Sequence, residues 1–156
     1  MKKFIILSIV LLMLAGFGIT SSAVDVTLLA DQTIEVGMLN VIVDGTNLVV
    51  TYNITSPWVL GETHLYVGTA APTKSAPGQF SYGPEDAVDG GVYTIPLSDF
   101  PDATTLYIAA QAEVTNPDEI DPITLLPREE TAWAEGIQIR PGKNWAMYFT
   151  FEVVTP

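Results

Sequence analysis

The chain has 156 residues, contains no cysteine and carries a formal net charge of −12 at pH 7. Its length suits one ordinary domain, and the missing thiols exclude disulfides, thiol nucleophiles and zinc–thiolate sites. A chain this acidic repels nucleic acid and anionic lipid head groups, so neither is an expected partner. Because the acids are scattered, we interpret them as a solubilising surface for a salty or extracellular medium rather than as a cation site.

The N-terminus predicts an export signal. Lys2 and Lys3 precede an apolar and small-residue run over residues 4–19, and small residues up to Ala23 offer a cleavage site. The run has 16 residues, fewer than the ~20 that span a bilayer, which favours a cleaved signal over a retained anchor. We therefore predict a signal peptide over residues 1–23 and one domain over residues 24–156. That domain is expected to be secreted or held in the cell envelope, without membrane contact once the signal is removed.

Downstream of the signal, the sequence predicts an all-β fold. It is rich in Val, Ile, Thr and Tyr, and short apolar runs alternate with turns that contain glycine or proline. We expect a two-layer β-sandwich, immunoglobulin-like or jelly-roll-like, with about seven to nine strands.

Taken in chain order, the predicted strands show alternating side chains bounded by turn residues. The firmest prediction is a hairpin with the turn Asp44-Gly45-Thr46-Asn47, because Gly45 tolerates the positive φ that such turns need. The last strand is apolar on both faces, which is typical of a central strand. The predicted strands cover residues 24–30, 33–43, 48–55, 62–69, 92–97, 104–114, 130–135 with an extension to 140, and 145–154.

Two long loops are predicted between these strands, over residues 70–91 and 115–128. The first contains several glycines and prolines, and either Phe80 or Tyr82 is expected to anchor it. Loops this long in a compact domain are usually functional or mobile, so both are candidate sites of interaction.

The second loop carries the candidate metal ligands. Asn116, Asp118 and Asp121 have the oxygen-bearing side chains that calcium prefers, and the pair Glu129 and Glu130 could add to them. Their order lacks the D-x-[DN]-x-[DN]-G spacing that folds ligands around the ion. A solvated acidic loop is therefore the favoured interpretation, and calcium is the one cofactor left open.

His64 is the only histidine, so a catalytic triad, a general base or a transition-metal site would have to use it. Glu62 and Tyr66 share its strand face, and Gln111 can lie on a paired strand. These neighbours leave open a small metal-dependent hydrolase centred on His64. A single histidine without a second nitrogen ligand is a poor metal site, so a histidine hydrogen-bonded to a carboxylate under a loop is favoured.

The three tryptophans are candidates for stacking on sugar rings, because an indole has an apolar face and a polar edge. Packing in the core is the favoured alternative for each of Trp58, Trp133 and Trp145. Trp58 follows Ser-Pro in a predicted loop and is expected to be the most exposed of the three.

Five sequence blocks together resemble a β-sandwich module of uncharacterised function that recurs in secreted bacterial and archaeal proteins, alone or within larger surface proteins. The resemblance implies an exported module and no particular reaction. The module tends to carry a histidine at the position of Gln111, so a metal-binding histidine pair that it would allow is not expected in this chain. The blocks are WVLGETHLYVG (58–68), PGQF (77–80), LYIAAQA (106–112), ETAWAEG (130–136) and NWAMYF (144–149).

The leading prediction is a non-enzymatic binding or adhesion module whose partner is an envelope polysaccharide or a surface protein. One alternative is a structural subunit of a cell-surface layer or fibre that associates with itself, and the other is the hydrolase centred on His64. The deciding observation is whether five residues meet on one concave surface, namely Glu62, His64, Gln111, Glu130 and Trp133. The candidate ligand-binding residues are Trp58, Glu62, His64, Tyr66, Gln111, Glu130 and Trp133.

Overall fold

Residues 22–154 are described by the computed structural model, and the predicted signal peptide lies outside them except for Ser22 and Ala23. Nine β-strands and three short 3₁₀ turns make up this part of the chain. The strands are β1 (Ala23–Ala30), β2 (Ile34–Asp44), β3 (Asn47–Ile54), β4 (Val59–Gly68), β5 (Val92–Pro96), β6 (Thr105–Ile120), β7 (Pro127–Ala134), β8 (Ile137–Gln138) and β9 (Met147–Glu152).

The strands pair antiparallel in the order β5-β3-β2-β1-β7-β6-β9-β8, and β4 adds to β6. The longest strand, β6, has 16 residues and pairs with three others. β4 follows one edge of β6 as far as Thr115, whereas β9 and β7 succeed each other along the opposite edge. Beyond Thr115, β6 pairs with β7 alone, so the β6–β7 hairpin extends from the sheet as a two-stranded ribbon.

The β2–β3 hairpin forms as the sequence predicts. Asp44 pairs with Asn47 across the turn, and Gly45 has a φ of +59°. Val41 lies opposite Val50, and both side chains are fully buried. The period-two pattern therefore directs one face of this hairpin into the core.

The main core consists of alternate side chains from β1 to β7 and from β9. Ala110 and Ala112 of β6 are completely buried in it. Fully burying a large apolar side chain contributes about 1.5–3 kcal/mol, so this core is the main source of stability. Its largest fully buried side chains include Leu28, Leu39, Leu48, Leu65, Tyr93, Ile95, Leu106 and Ile108.

Two tyrosines connect strands across this core. The Tyr52 hydroxyl of β3 donates to the carbonyl oxygen of His64 at 3.1 Å, and the Tyr93 hydroxyl of β5 donates to that of Thr63 at 3.0 Å. Both acceptors lie on β4, which pairs with neither β3 nor β5. The structure confirms the all-β fold, and these contacts between facing strands support its two-layer arrangement.

The prediction of a long loop over residues 115–128 is wrong, because β6 continues to Ile120 and β7 already begins at Pro127. The ladder shifts its register between Asn116 and Ile120. Pro117 lies inside this irregularity, where a residue without an N–H group can be accommodated. A proline-rich and acidic stretch is therefore a β-ribbon with a short connection.

The loop over residues 70–91 is fixed at both of its predicted anchors. Tyr82 exchanges two backbone hydrogen bonds with Leu65 at 2.9 and 3.0 Å, which covers part of the free edge of β4. Phe80 packs on the face of this sheet region that points away from the main core. The loop is thus held by backbone pairing and by aromatic packing together.

The two ends of the described part of the chain lie next to each other. The Ser22 carbonyl oxygen accepts the Val43 N–H at 3.0 Å, and the Ser22 hydroxyl oxygen accepts the Val154 N–H at 2.8 Å. Ala23 begins β1 opposite Ile42. Ser22 and Ala23, which the sequence assigns to the signal peptide, therefore take part in strand pairing and hydrogen bonding here.

Candidate functional site

The β4–β6–β7 region carries one row of candidate residues on the face that points away from the main core. His64 lies opposite Gln111, and Gln111 lies opposite Trp133, so the three side chains are neighbours across three strands. His64 Nδ1 is 2.9 Å from Gln111 Oε1, and the Gln111 side chain is buried. With the amide oxygen as acceptor, Nδ1 donates the hydrogen bond. The histidine is half-buried, and its hydrogen-bond partner is an amide rather than the carboxylate that the sequence favoured.

Aromatic side chains cover this row. The Trp133 ring centroid lies 5.9 Å from that of Phe80 and 6.5 Å from that of Trp145, in edge-to-face contacts. Phe80 in turn contacts Tyr66 at 6.1 Å. Asn144 Nδ2 donates to Ser75 Oγ at 2.7 Å and so joins the two covering loops.

Trp133 is therefore a packing residue, but it does not fill the main core. It belongs to a second cluster with Ala109 and Ala146, whereas its neighbours Ala132 and Ala134 point into the main core. Burial raises the pKa of Tyr66 within the same covered region. Because Trp133 is buried between these two rings, its indole is not available for a sugar ring.

Glu130 does not join His64. It pairs with Val114, whose side chain lies in the main core, so Glu130 is on the opposite face from Gln111 and Trp133. Glu62 is exposed, next to an irregularity in the β4–β6 ladder. The five residues named as the deciding set are thus divided between two faces of the sheet and form no single concave surface.

Glu130 instead belongs to a charged group at the base of the β6–β7 hairpin. Arg128 donates from Nε to Glu130 and from Nη1 to Glu119, both at 2.9 Å, and lies 3.7 Å from Asp31. These hydrogen bonds, that to Glu119 foremost, raise the pKa of Arg128. The Arg128 guanidinium also lies 5.9 Å from the centre of the Trp58 ring. Trp58 is half-buried in this group and against the main core, so one of its faces is occupied by protein.

The candidate calcium ligands organise the hairpin. Asn116 Oδ1 accepts the N–H of Asp118 at 3.0 Å, and Asp121 Oδ1 accepts the N–H groups of Ile123 and Thr124 at 2.8 and 2.7 Å. These two bonds, with that from Thr124 the larger, lower the pKa of Asp121. In residues 22–154, no three or more His, Asp or Glu side chains come together as metal ligands would. The polar oxygens of this stretch act as turn-forming acceptors.

The end of the hairpin exposes large apolar side chains that the sequence analysis did not single out. We define the apolar tip as Ile120, Ile123, Leu125 and Leu126, whose relative exposures are 57%, 90%, 75% and 61%. The available signal was four branched apolar residues within seven positions of a stretch otherwise read as an acidic loop. Exposed apolar clusters of this kind commonly mark interaction sites.

The backbone of the apolar tip is held in place. The Asp121 N–H donates to the Leu126 carbonyl oxygen, and the Leu125 N–H donates to that of Asp121, both at 2.9 Å. Leu125 has a φ of +60°, and within residues 22–154 it is the one apolar residue with a positive φ. This left-handed conformation costs an L-residue with a Cβ roughly 1–2 kcal/mol. Because Leu125 is largely exposed, core packing does not offset that cost.

An apolar depression lies at the other end of β6, where we define the far-end pocket by Leu97, Phe100, Ala103, Leu106 and Val153. Its volume is about 290 Å³, close to the lower limit of small ligand sites. Asp102 and Thr104 form part of its rim. The apolar tip and the far-end pocket are thus separated by the 16 residues of β6, about 50 Å of extended strand.

A third depression, of about 330 Å³, crosses the outer face of β4, β6 and β7 beside the base of the hairpin. Gly61, Glu113, Glu129 and Thr131 line it. Its acidic side chains are exposed to solvent and have no histidine beside them, so it lacks the features of a catalytic cleft.

Comparison with known proteins gives no further guidance, since no family, no curated protein and no solved structure matches this chain. Within residues 22–154, no helix has the length and apolar character of a membrane span.

Proposed function

We propose that this protein is a non-enzymatic binding module of the cell exterior and that its contact element is the apolar tip of the β6–β7 hairpin. The observation that carries the proposal is the exposure of Ile123 and Leu125, at 90% and 75%, on a hydrogen-bonded turn. Water contact with branched apolar side chains is unfavourable, and a partner that removes it recovers up to about 1.5–3 kcal/mol for each buried side chain.

The strained backbone at Leu125 supports the same proposal. A glycine or asparagine would adopt the left-handed conformation at lower cost, and the leucine gains little burial in return. Backbone strain that core packing does not offset is typical of functional positions. A leucine at this position is useful if its side chain is buried in a complex.

A rigid tip also lowers the entropy cost of binding. The hydrogen bonds of Arg128 with Glu119 and Glu130 fix the base of the ribbon, and the Asp121 side chain accepts the backbone hydrogen bonds of the turn at its end. A contact element that is ordered before association loses less conformational freedom when its partner binds. The predicted export signal supplies the expectation that this partner lies outside the cell.

The carbohydrate form of the original prediction has less support than a protein contact. Trp133 is enclosed by Phe80 and Trp145, and one face of Trp58 is covered by Arg128. The hydrolase alternative rests on His64, whose polar neighbour is Gln111 rather than an acid.

The test compares binding of the purified protein to a cell-envelope fraction of its source organism and to polysaccharide extracted from that fraction. The double variant Ile123→Ser with Leu125→Asn should bind the envelope fraction at least roughly tenfold more weakly, the equivalent of about 1.4 kcal/mol. Ile137→Ser is the matched control, because Ile137 is 59% exposed on β8, away from the hairpin. Equal binding of both variants and the parent protein, or binding of all three to polysaccharide alone, would contradict the proposal.

A further inference from the structure

The apolar tip and the far-end pocket are complementary features on one chain. The tip presents branched aliphatic side chains on a narrow ribbon, and the pocket is a mainly aliphatic and aromatic depression. They lie at opposite ends of the same strand, so one molecule cannot bring its own tip into its own pocket. Two copies can do so without any change of fold.

We propose that the occupant of the far-end pocket is the apolar tip of a second copy of this chain, which gives a head-to-tail assembly. This rests on the proposed function in that the tip is the contact element, and it names the partner. A contact between two different patches of identical molecules leaves one tip and one pocket free, so it repeats along a line. The assembly is therefore an open filament unless its rotation closes a ring, which accords with the surface-fibre alternative.

The fit of size favours a contact through one or two side chains. A pocket of about 290 Å³ is large enough for the outermost aliphatic groups, Ile123 and Leu125, and too small for the whole hairpin. Such an interface is small, and small interfaces are weak and reversible. The dissociation constant is therefore expected to be on the order of 0.1–1 mM for one contact in solution.

Charge argues against a lipid surface as the occupant. Interfacial elements usually combine apolar groups with Lys or Arg, or with Trp at the head-group level. The tip is flanked by Asp118, Glu119 and Asp121, and the nearest basic residue, Arg128, is paired with acids. Anionic head groups would repel this end of the molecule.

The same acids make a distinctive prediction for self-association. Asp102 lies on the rim of the far-end pocket, and Asp99 is close to it in the preceding turn. Two acidic ends repel one another in dilute buffer, and salt screens that repulsion. Association should therefore strengthen as salt rises from about 0.05 M to about 0.5 M, the opposite of a contact made by ion pairs.

The experiment measures the weight-average mass of the purified domain by sedimentation, over a range of concentration and salt. The parent protein should grow beyond the monomer mass as either variable rises. The tip variant, Ile123→Ser with Leu125→Asn, and a pocket variant, Thr104→Trp, should each stay monomeric. Thr104 is exposed on the pocket rim, so an indole there can cover the pocket without entering the core. Leu97→Ser, which removes part of the pocket wall, serves as a second pocket variant.

The decisive sample is an equimolar mixture of the tip variant and a pocket variant. The tip variant keeps an intact pocket and the pocket variant keeps an intact tip, so together they should form a dimer that cannot grow further. Pocket variants that associate as strongly as the parent protein, or a mixture that stays monomeric while the parent assembles, would overturn the head-to-tail contact.

Failure of this inference is distinguishable from failure of the proposed function. A parent protein that stays monomeric at millimolar concentration and high salt would rule out the second copy as the occupant. Envelope binding that depends on the tip would then still stand, with another protein as the partner. Circular dichroism and the melting temperature of each variant show that lost association does not reflect a lost fold.

Discussion

Substitution of Leu125 tests directly whether the exposed leucine of the apolar tip lowers the stability of the isolated protein. Leu125→Asn should stabilise the isolated protein, although it removes an apolar side chain. Asparagine tolerates the left-handed conformation, so most of the roughly 1–2 kcal/mol of backbone strain is relieved. The leucine is 75% exposed, so the lost burial is small. We expect a net gain of about 0.5–1.5 kcal/mol in the free energy of unfolding.

Leu126→Asn is the matched control for this change. Leu126 is 61% exposed in the same tip and has no positive φ. The two substitutions make the same chemical change one position apart, and only the first relieves strain. Urea unfolding followed by tryptophan fluorescence gives both free energies, and both variants should weaken envelope binding. If the two variants have equal stability, or if Leu125→Asn is the less stable, the strain argument is refuted.

Three further predictions concern the parts that support the tip and the core. Arg128→Met should speed amide hydrogen exchange in the β6–β7 ribbon roughly tenfold, because about 1–2 kcal/mol of ion pairing and cation–π contact is lost. The control Arg140→Met also removes one positive charge, but from an exposed side chain, and should leave that exchange unchanged. Burial is the main cause that raises the pKa of Tyr52 well above 10.0. The contribution of Tyr52 to stability is therefore fully present below pH 10 and falls as the pH rises further, because its hydroxyl ionises in the unfolded chain but not in the folded one. At pH 7, Tyr52→Phe should lower the free energy of unfolding by about 1 kcal/mol, because a hydrogen bond is lost. By pH 11 the variant should regain about 1.4 kcal/mol relative to the parent, because it has no hydroxyl to ionise when it unfolds. Urea titrations that give the same difference in stability at both pH values would contradict this. Trp133→Ala should cost about 3–5 kcal/mol, because a large side chain enclosed by two other rings is removed, and a melting temperature close to that of the parent would contradict its role in packing.

Side-chain alternation predicted the strands that line the core. In the β2–β3 hairpin and in the first half of β6, apolar residues recur at every second position, and the structure buries those positions. Burial on one face requires that period, so the pattern determines both the strand and its orientation. The central position predicted for the last strand is not fully realised, because β6 pairs with residues 149–152 of β9 and the two-residue β8 pairs only with Met147 and Tyr148, so no residue of β9 is paired on both sides.

The second half of β6 could not be recognised in the same way. From Pro117 onward the ribbon is exposed on both faces, so no alternation is required and the prolines and acids suggest a loop. The ribbon also makes a contact distant in sequence, the ion pair of Arg128 with Asp31. Long-range contacts of this kind leave no local periodic signal.

The candidate site was divided for a related reason. Strand register decides which face a residue occupies, and one residue of difference moves a side chain to the opposite face. Glu130 and Trp133 are three positions apart on β7 and therefore point to opposite faces, although both stand in one acidic and aromatic block. Their closeness in the sequence placed Glu130 and Trp133 in one hypothetical site with His64, and the strand register separates Glu130 from the other two.

The five blocks that carry the family resemblance describe the scaffold rather than its ends. They include His64, Gln111, Trp133 and Trp145, which pack together on the outer face of the β4–β6–β7 region. The apolar tip lies outside every block, and so does most of the far-end pocket. Residues that hold a face together are constrained by their neighbours in the sheet. The exposed apolar tip at one end of β6, and the exposed pocket rim of Asp102 and Thr104 at the other, can vary at little cost to the core. A scaffold of this kind can keep its packing and change its contacts, and for that reason the ends of β6 are where the binding partner of this chain is expected to be determined.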